Sequence, residues 1–104
     1  MIKFLKTLFG IHSESLQPVL QRGAVVIDVR TPVEFKQGHI KDAKNIPLNE
    51  IKLKADMIRR WEKPIITVCR SGARSQAANS LLKSFNIESY NGGGWTSFKN
   101  KYKL

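Results

Sequence analysis

The run Ala24-Val25-Val26-Ile27-Asp28-Val29 is the stretch on which the fold reading turns. It is rich in β-branched residues and does not alternate between apolar and polar. A strand with one wet face alternates, whereas a strand buried on both faces reads as a continuous apolar run, the mark of a parallel sheet. A second such run, Ile65-Ile66-Thr67-Val68-Cys69, follows Pro64. Between and around these two strands the apolar spacing is helical. Leu16, Val19 and Leu20 recur at helical spacing, with Ser13 or Ser15 as cap, Pro18 in the first turn and Gly23 as the stop. Thr31-Pro32 opens a short helix to Gln37, with Thr31 as N-cap and Pro32 at the first position, and Gly38 ends it. Ala43 to Ile46 reads as a short strand closed by Pro47. Leu48 to Trp61, with Ile51, Leu53, Ala55, Met57, Ile58 and Trp61 as its apolar positions, reads as a helix. Ala77, Ala78, Leu81, Leu82 and Phe85 mark the apolar face of another. Ile87 to Tyr90 reads as a last strand, Asn91 to Gly94 as a turn, and Trp95 to Tyr102 as a terminal helix with a basic tail. Strands alternating with helices make an α/β domain with a parallel sheet.

With 104 residues the chain holds one domain, and 41% hydrophobic with 25% charged residues is a globular balance. We divide it into an N-terminal amphipathic extension, residues 1–11, and an α/β domain, residues 12–104. In the extension Ile2, Leu5, Leu8 and Phe9 share one face if it is helical; Lys3 and Lys6 are few for docking to an acidic membrane. Lys6 breaks the apolar run that a secretory signal needs, and no stretch approaches the ~20 apolar residues of a membrane helix. The expected setting is cytoplasmic. Eighteen Lys+Arg against eight Asp+Glu give +10, which points to an anionic partner. Cys69 is the single cysteine, so no disulfide forms within the chain, and no metal site or cofactor is expected.

Cys69 ends a buried strand and precedes Arg70-Ser71-Gly72-Ala73-Arg74, which leads into a helix. Sites in open parallel sheets form at the carboxyl ends of strands, where helix N-termini point. Free backbone N–H groups there bind anions and stabilise a thiolate. Position alone leaves two readings, an inert core thiol or a nucleophile. The loop that follows favours the nucleophile: Gly72 lets the chain fold back so that N–H groups converge, and Arg70 and Arg74 add positive charge.

Cys69-Arg70-Ser71-Gly72-Ala73-Arg74-Ser75 resembles the active-site loop of the single-domain rhodaneses, a family of sulfurtransferases. Three further stretches agree in order: Val26 to Phe35, Gly38 to Pro47, and Tyr90-Asn91-Gly92-Gly93-Gly94-Trp95. The resemblance runs from about Ser13 to Phe98. It implies a rhodanese-like α/β fold, about five parallel strands with helices on both faces. It also implies ping-pong transfer of sulfane sulfur, with Cys69 as nucleophile and the amides from Arg70, Ser71, Gly72, Ala73 and Arg74 cradling the substrate. The implied partners are a small anionic sulfur donor such as thiosulfate and a thiol or protein acceptor. With no second cysteine to resolve it, a persulfide must pass to an outside acceptor. A monomer or weak dimer is expected.

Loop length argues against the phosphatases and arsenate reductases related to this fold, which place five residues between cysteine and arginine. Here four separate Cys69 from Arg74. Asp28 and Arg30 read as members of ion pairs that pin loops, with Arg30–Glu34 and Asp28 with a loop amide or arginine as candidates. His39 reads as a hydrogen-bonded structural histidine and His12 as a surface residue. Trp95 and Phe98 read as core, with one aromatic available to wall the pocket; the family often has tryptophan where Phe98 stands. Nucleic-acid binding is a competing class, but the lysines are scattered and no aromatic-plus-basic strand motif occurs. A non-catalytic rhodanese-like interaction module is a third; such modules usually lack the cysteine.

Overall fold

The computed structural model describes residues 15–104. The expectations for the 1–11 extension, His12 and the Ser13 cap lie outside the described residues. Among the described residues the β strands are β1 (Val25–Asp28), β2 (Lys44–Asn45), β3 (Ile65–Cys69) and β4 (Ser89–Gly94). They form one parallel sheet in the order β2-β1-β3-β4. Among the described residues the helices are α1 (Gln17–Gln21), α2 (Pro32–Lys36), α3 (Leu48–Arg60), α4 (Ala73–Ser84) and α5 (Trp95–Tyr102). The family resemblance implied about five strands; among the described residues four find a pairing partner, matching the four runs legible in the sequence.

Alternation along β3 builds the two cores. Ile65 and Cys69 join Ile27, Val29 and Ile46 beneath α3 and α4, which contribute Ile51, Ala55, Ile58, Ala78 and Leu82. Ile66 and Val68 point the other way and pack with Val26, Ile40, Val19 of α1 and Phe98 of α5. Every β3 residue is therefore buried, which is why the run carries no polar alternation. The helical pattern expected for Leu48–Trp61 holds, but two of its apolar positions face water: Leu53 is 84% exposed and Met57 42%. Ile51, Ala55 and Ile58 lie at i, i+4 and i+7 and make the buried stripe, leaving Leu53 on the opposite side of the helix. Ala77 is exposed for the same reason, because Ala78 and Leu82 hold the inner face of α4.

Local signals worked where side chains close backbone bonds. The exception is α1, whose N-cap is Leu16 rather than Ser15; Ser15, one residue earlier, accepts from Gln17 N–H. Thr31 caps α2 in a full capping box: its hydroxyl accepts from Glu34 N–H, and the Glu34 carboxylate accepts from Thr31 N–H.

The end of the chain departs from expectation. The strand begins later than Ile87, and Asn91 to Gly94, read as a turn, continue β4 to its end. Thr67 pairs with Asn91, Val68 with Gly93 and Cys69 with Gly94, so Gly92 is an extra residue at a β-bulge. Gly92 and Gly94 face a crowded neighbour, whereas Gly93 sits in open space at φ 82°. A Cβ on Gly92 would lie 2.9 Å from Ile66 Cγ2 and 3.0 Å from the Thr67 carbonyl oxygen. One on Gly94 would lie 2.8 Å from the Arg70 carbonyl oxygen.

Candidate active site

The sheet delivers Cys69 to its carboxyl edge, and the chain turns through Arg70, Ser71 and Gly72 into α4. Gly72 caps that helix at φ 112°, a left-handed conformation that glycine adopts without a Cβ penalty. The turn aims the free N–H end of a 12-residue helix at the sulfur. Gly72 N–H donates to Cys69 Sγ at 2.9 Å, and the Ser75 hydroxyl oxygen lies 3.4 Å from Sγ. Cys69 is 1% exposed. Burial pushes its thiol pKa up, but hydrogen bonds from the Ser75 side chain and from the amides of Ser75, Gly72 and Ser71 outweigh it. The net effect sets the pKa below that of an ordinary thiol.

The two loop arginines differ. Arg74 forms a bidentate pair with Glu34 of α2, at 2.7 and 3.0 Å, and so ties the first turn of α4 to α2. Hydrogen bonding from Arg74 holds the Glu34 carboxyl down at about 2. Arg70 is exposed and, among the described residues, pairs with no carboxylate. It lines a cavity of about 230 Å³ with Arg30, Glu34, Gln37, Gly38 and Trp95. Trp95 therefore walls the cavity beside Arg70, while Phe98, 3% exposed, packs in the core on the other side of the sheet from α3 and α4.

Asp28 takes a loop amide and an arginine as expected, both from Arg30, whose N–H donates to Asp28 Oδ1 at 3.0 Å; the expected Arg30–Glu34 ion pair does not form. Arg30 Nη2 and Nε donate to the Asp28 carboxylate at 2.7 to 3.0 Å, with both side chains buried. Glu34 offers Arg30 its main-chain carbonyl at 3.3 Å rather than its carboxylate, and Gly38 offers a second at 2.7 Å. The guanidinium also lies 4.6 Å over the Trp95 ring. Asp28→Ala strips a buried guanidinium of its counter-charge and should cost about 3–5 kcal/mol of stability in urea denaturation. His39 is the hydrogen-bonded histidine expected, with Nδ1 2.8 Å from the Phe35 carbonyl and its ring stacked on Phe35 at 3.8 Å.

Ser75 and Asn91 were missed as site residues. Ser75 is fully buried, and its hydroxyl lies 2.6 Å from Asn91 Oδ1. Asn91 also accepts from Gly93 N–H at 2.9 Å and donates from Nδ2 to Gln76 Oε1 at 3.1 Å. Ser75 closed the quoted motif without a role. Asn91 in a glycine-rich stretch looks like any turn residue, and only strand pairing places it beside the loop.

The fold and site define a class: parallel α/β proteins with a thiol of lowered pKa held by a helix N-terminus at the carboxyl edge of the sheet. The chain belongs to the rhodanese family, its residues 13–101 matching the rhodanese-like domain model. Among its relatives is the uncharacterized protein YqhL of Bacillus subtilis, 43% identical over 84 residues, 79% of this chain and 66% of that protein. Another is the thiosulfate sulfurtransferase GlpE of Pseudomonas syringae, 38% identical over 74 residues, 69% of this chain and 67% of that one. A rhodanese from E. coli solved with anions has the same fold, with a TM-score of 0.64 and 31% identity over 70% of this chain and 88% of its own. The chain spans about two thirds of the length of these curated relatives. No helix among the described residues is long and apolar enough to cross a membrane.

Proposed function

We propose that the protein is a sulfurtransferase of the thiosulfate sulfurtransferase type that carries sulfane sulfur as a persulfide on Cys69. The observation that supports this reading above others is the placement of Cys69 Sγ, 2.9 Å from Gly72 N–H at the head of α4. The thiolate attacks the outer sulfur of thiosulfate; the S–S bond of the donor breaks and its electron pair leaves with sulfite. The outer sulfur of Cys69–S–S⁻ is then attacked by a thiophile, cyanide in an assay or a thiolate in the cell, and Cys69 thiolate is regenerated. Both forms of the cysteine are anions at nearly the same place, so one set of amides serves both half-reactions. Neither step needs a strong general base once the thiolate exists.

Arg70, with its charge uncompensated beside the Trp95 cavity, draws in the anionic donor. Arg74 contributes mainly by holding the loop, since Glu34 already takes both of its Nη groups. The amides of Arg70, Ser71, Gly72, Ala73 and Arg74 form the cradle. A reducing, cytoplasmic setting suits a free thiol that must stay reactive.

The test is direct. Reduced protein incubated with thiosulfate should gain about 32 Da, one sulfur atom, by intact mass spectrometry, and lose it on adding cyanide or a thiol. No gain with thiosulfate or with a low-molecular-weight persulfide would reject the reading.

A further inference from the structure

We propose that Asn91 is a positioning residue that governs the proton of the Ser75 hydroxyl and thereby the ionisation of Cys69. The inference rests on Cys69 being the reactive group described above. It starts from a count of protons. Ser75 Oγ has one hydrogen and three polar neighbours: Asn91 Oδ1 at 2.6 Å, the Gly72 carbonyl at 3.0 Å and Cys69 Sγ at 3.4 Å. The Asn91 amide has a fixed orientation, because Gly93 N–H can only donate and therefore marks Oδ1. Two oxygens 2.6 Å apart need a hydrogen between them, and Oδ1 has none, so the Ser75 proton lies on the line to Asn91. The Gly72 carbonyl already accepts from Gln76 N–H, also at 3.0 Å.

The resting arrangement is thus a chain in which Cys69 S–H donates to Ser75, and Ser75 donates to Asn91. Such chains strengthen each bond in them, so Asn91 stabilises the thiol. When the sulfur becomes a thiolate or a persulfide anion, the Ser75 hydroxyl turns to donate to it, and Asn91 Oδ1 keeps Gly93 N–H as its donor. Asn91 therefore resists ionisation, and the loop amides favour it. Other charges near the sulfur are in pairs or at the surface: Arg74 of α4 with Glu34 of α2, and Asp28 of β1 with Arg30. Arg70 of the loop is exposed. From α3 the sulfur's core receives Ile51, Ala55 and Ile58, while Glu50 pairs with Lys54 outside it. From β4 the nearest ionisable group, Tyr90, gives its hydroxyl to Glu88.

Cys69 is the single cysteine of the chain, so the rate of iodoacetamide alkylation against pH reads its pKa alone, with no sulfur transfer required. In Asn91→Ala the pKa should fall by about half a unit to one unit, the net worth of one hydrogen bond. A loosened loop would do the opposite, because lost amide donors raise it. Asn91→Asp, which keeps the side-chain size and holds the Ser75 proton more strongly, should raise it. Both shifts should shrink in a Ser75→Ala background, where no hydroxyl proton remains to be shared. A rise or no change in Asn91→Ala, or shifts of equal size without the Ser75 hydroxyl, would overturn the proposal. Failure of thiosulfate loading with the expected alkylation shifts would count against the sulfurtransferase reading and leave the role of Asn91 standing.

Discussion

Cys69→Ser should abolish sulfur loading from thiosulfate and reduce thiocyanate production by on the order of 10³-fold or more. The substitution changes one atom. A serine hydroxyl does not ionise near neutral pH even beside the Gly72 N–H, and the reaction has no other nucleophile, because the chain has no second cysteine. The site should survive the change. Cys69 is buried, and serine fits the same volume with its hydroxyl near Ser75 and Gly72 as partners. Equal melting temperatures with no mass gain and no thiocyanate in the variant are the expected result. Turnover that persists in Cys69→Ser at the parent rate would move the chemistry away from the α4 N-terminus altogether.

Gly94→Ala should damage activity more than stability. The added Cβ would sit 2.8 Å from the Arg70 carbonyl oxygen, 3.7 Å from the Arg70 carbonyl carbon and 3.8 Å from Ser71 Cα. These are backbone atoms, which cannot swing aside as a side chain can. Relief comes only by shifting the loop that carries the Ser71 and Gly72 amides away from β4. A displacement approaching 1 Å at a positioned site costs about 10²-fold in rate, and that is the expected loss in thiosulfate turnover. The expected loss of stability is about 1–3 kcal/mol, typical of overpacking. Gly92→Ala is the control: its Cβ would press on Ile66 Cγ2, the Thr67 carbonyl and Val68 Cγ1, away from the Cys69 loop. It should lower the melting temperature and leave the turnover of the folded fraction closer to normal. Equal activity losses in the two variants would mean that β4 packing, rather than loop placement, sets the rate.

The contrast between these two glycines shows how far sequence patterns reach. The Ala24–Val29 and Ile65–Cys69 runs could be read as buried parallel strands because burial on both faces leaves a direct mark on composition. The Thr31-Pro32-x-Glu34 start of α2 could be read because capping acts between neighbours in the chain. The surroundings of Cys69 were legible for a related reason: the strand, the glycine and the helix that hold it are contiguous from Ile65 to Ser84. Leu53 and Met57 show the limit of periodicity, since an apolar residue on the wrong side of a helix still counts toward a helical pattern.

Sequence alone was enough for the layered α/β plan, for singling out Cys69 as the candidate nucleophile, and for the count of one cysteine. The tertiary structure decided the partners. Asp28 takes Arg30, Glu34 takes Arg74 from 40 positions away, and Asn91 reaches Ser75 from 16. It also turned an apparent glycine turn into a strand, because propensity records what a residue does alone, and Asn91–Gly94 are shaped by the crowding of β3 and the Arg70 carbonyl. Such contacts depend on which strand lies next to which, and strand order is set by packing the whole chain. No local pattern holds that information, so the sequence marks Cys69 as the candidate nucleophile and does not show the groups packed around it.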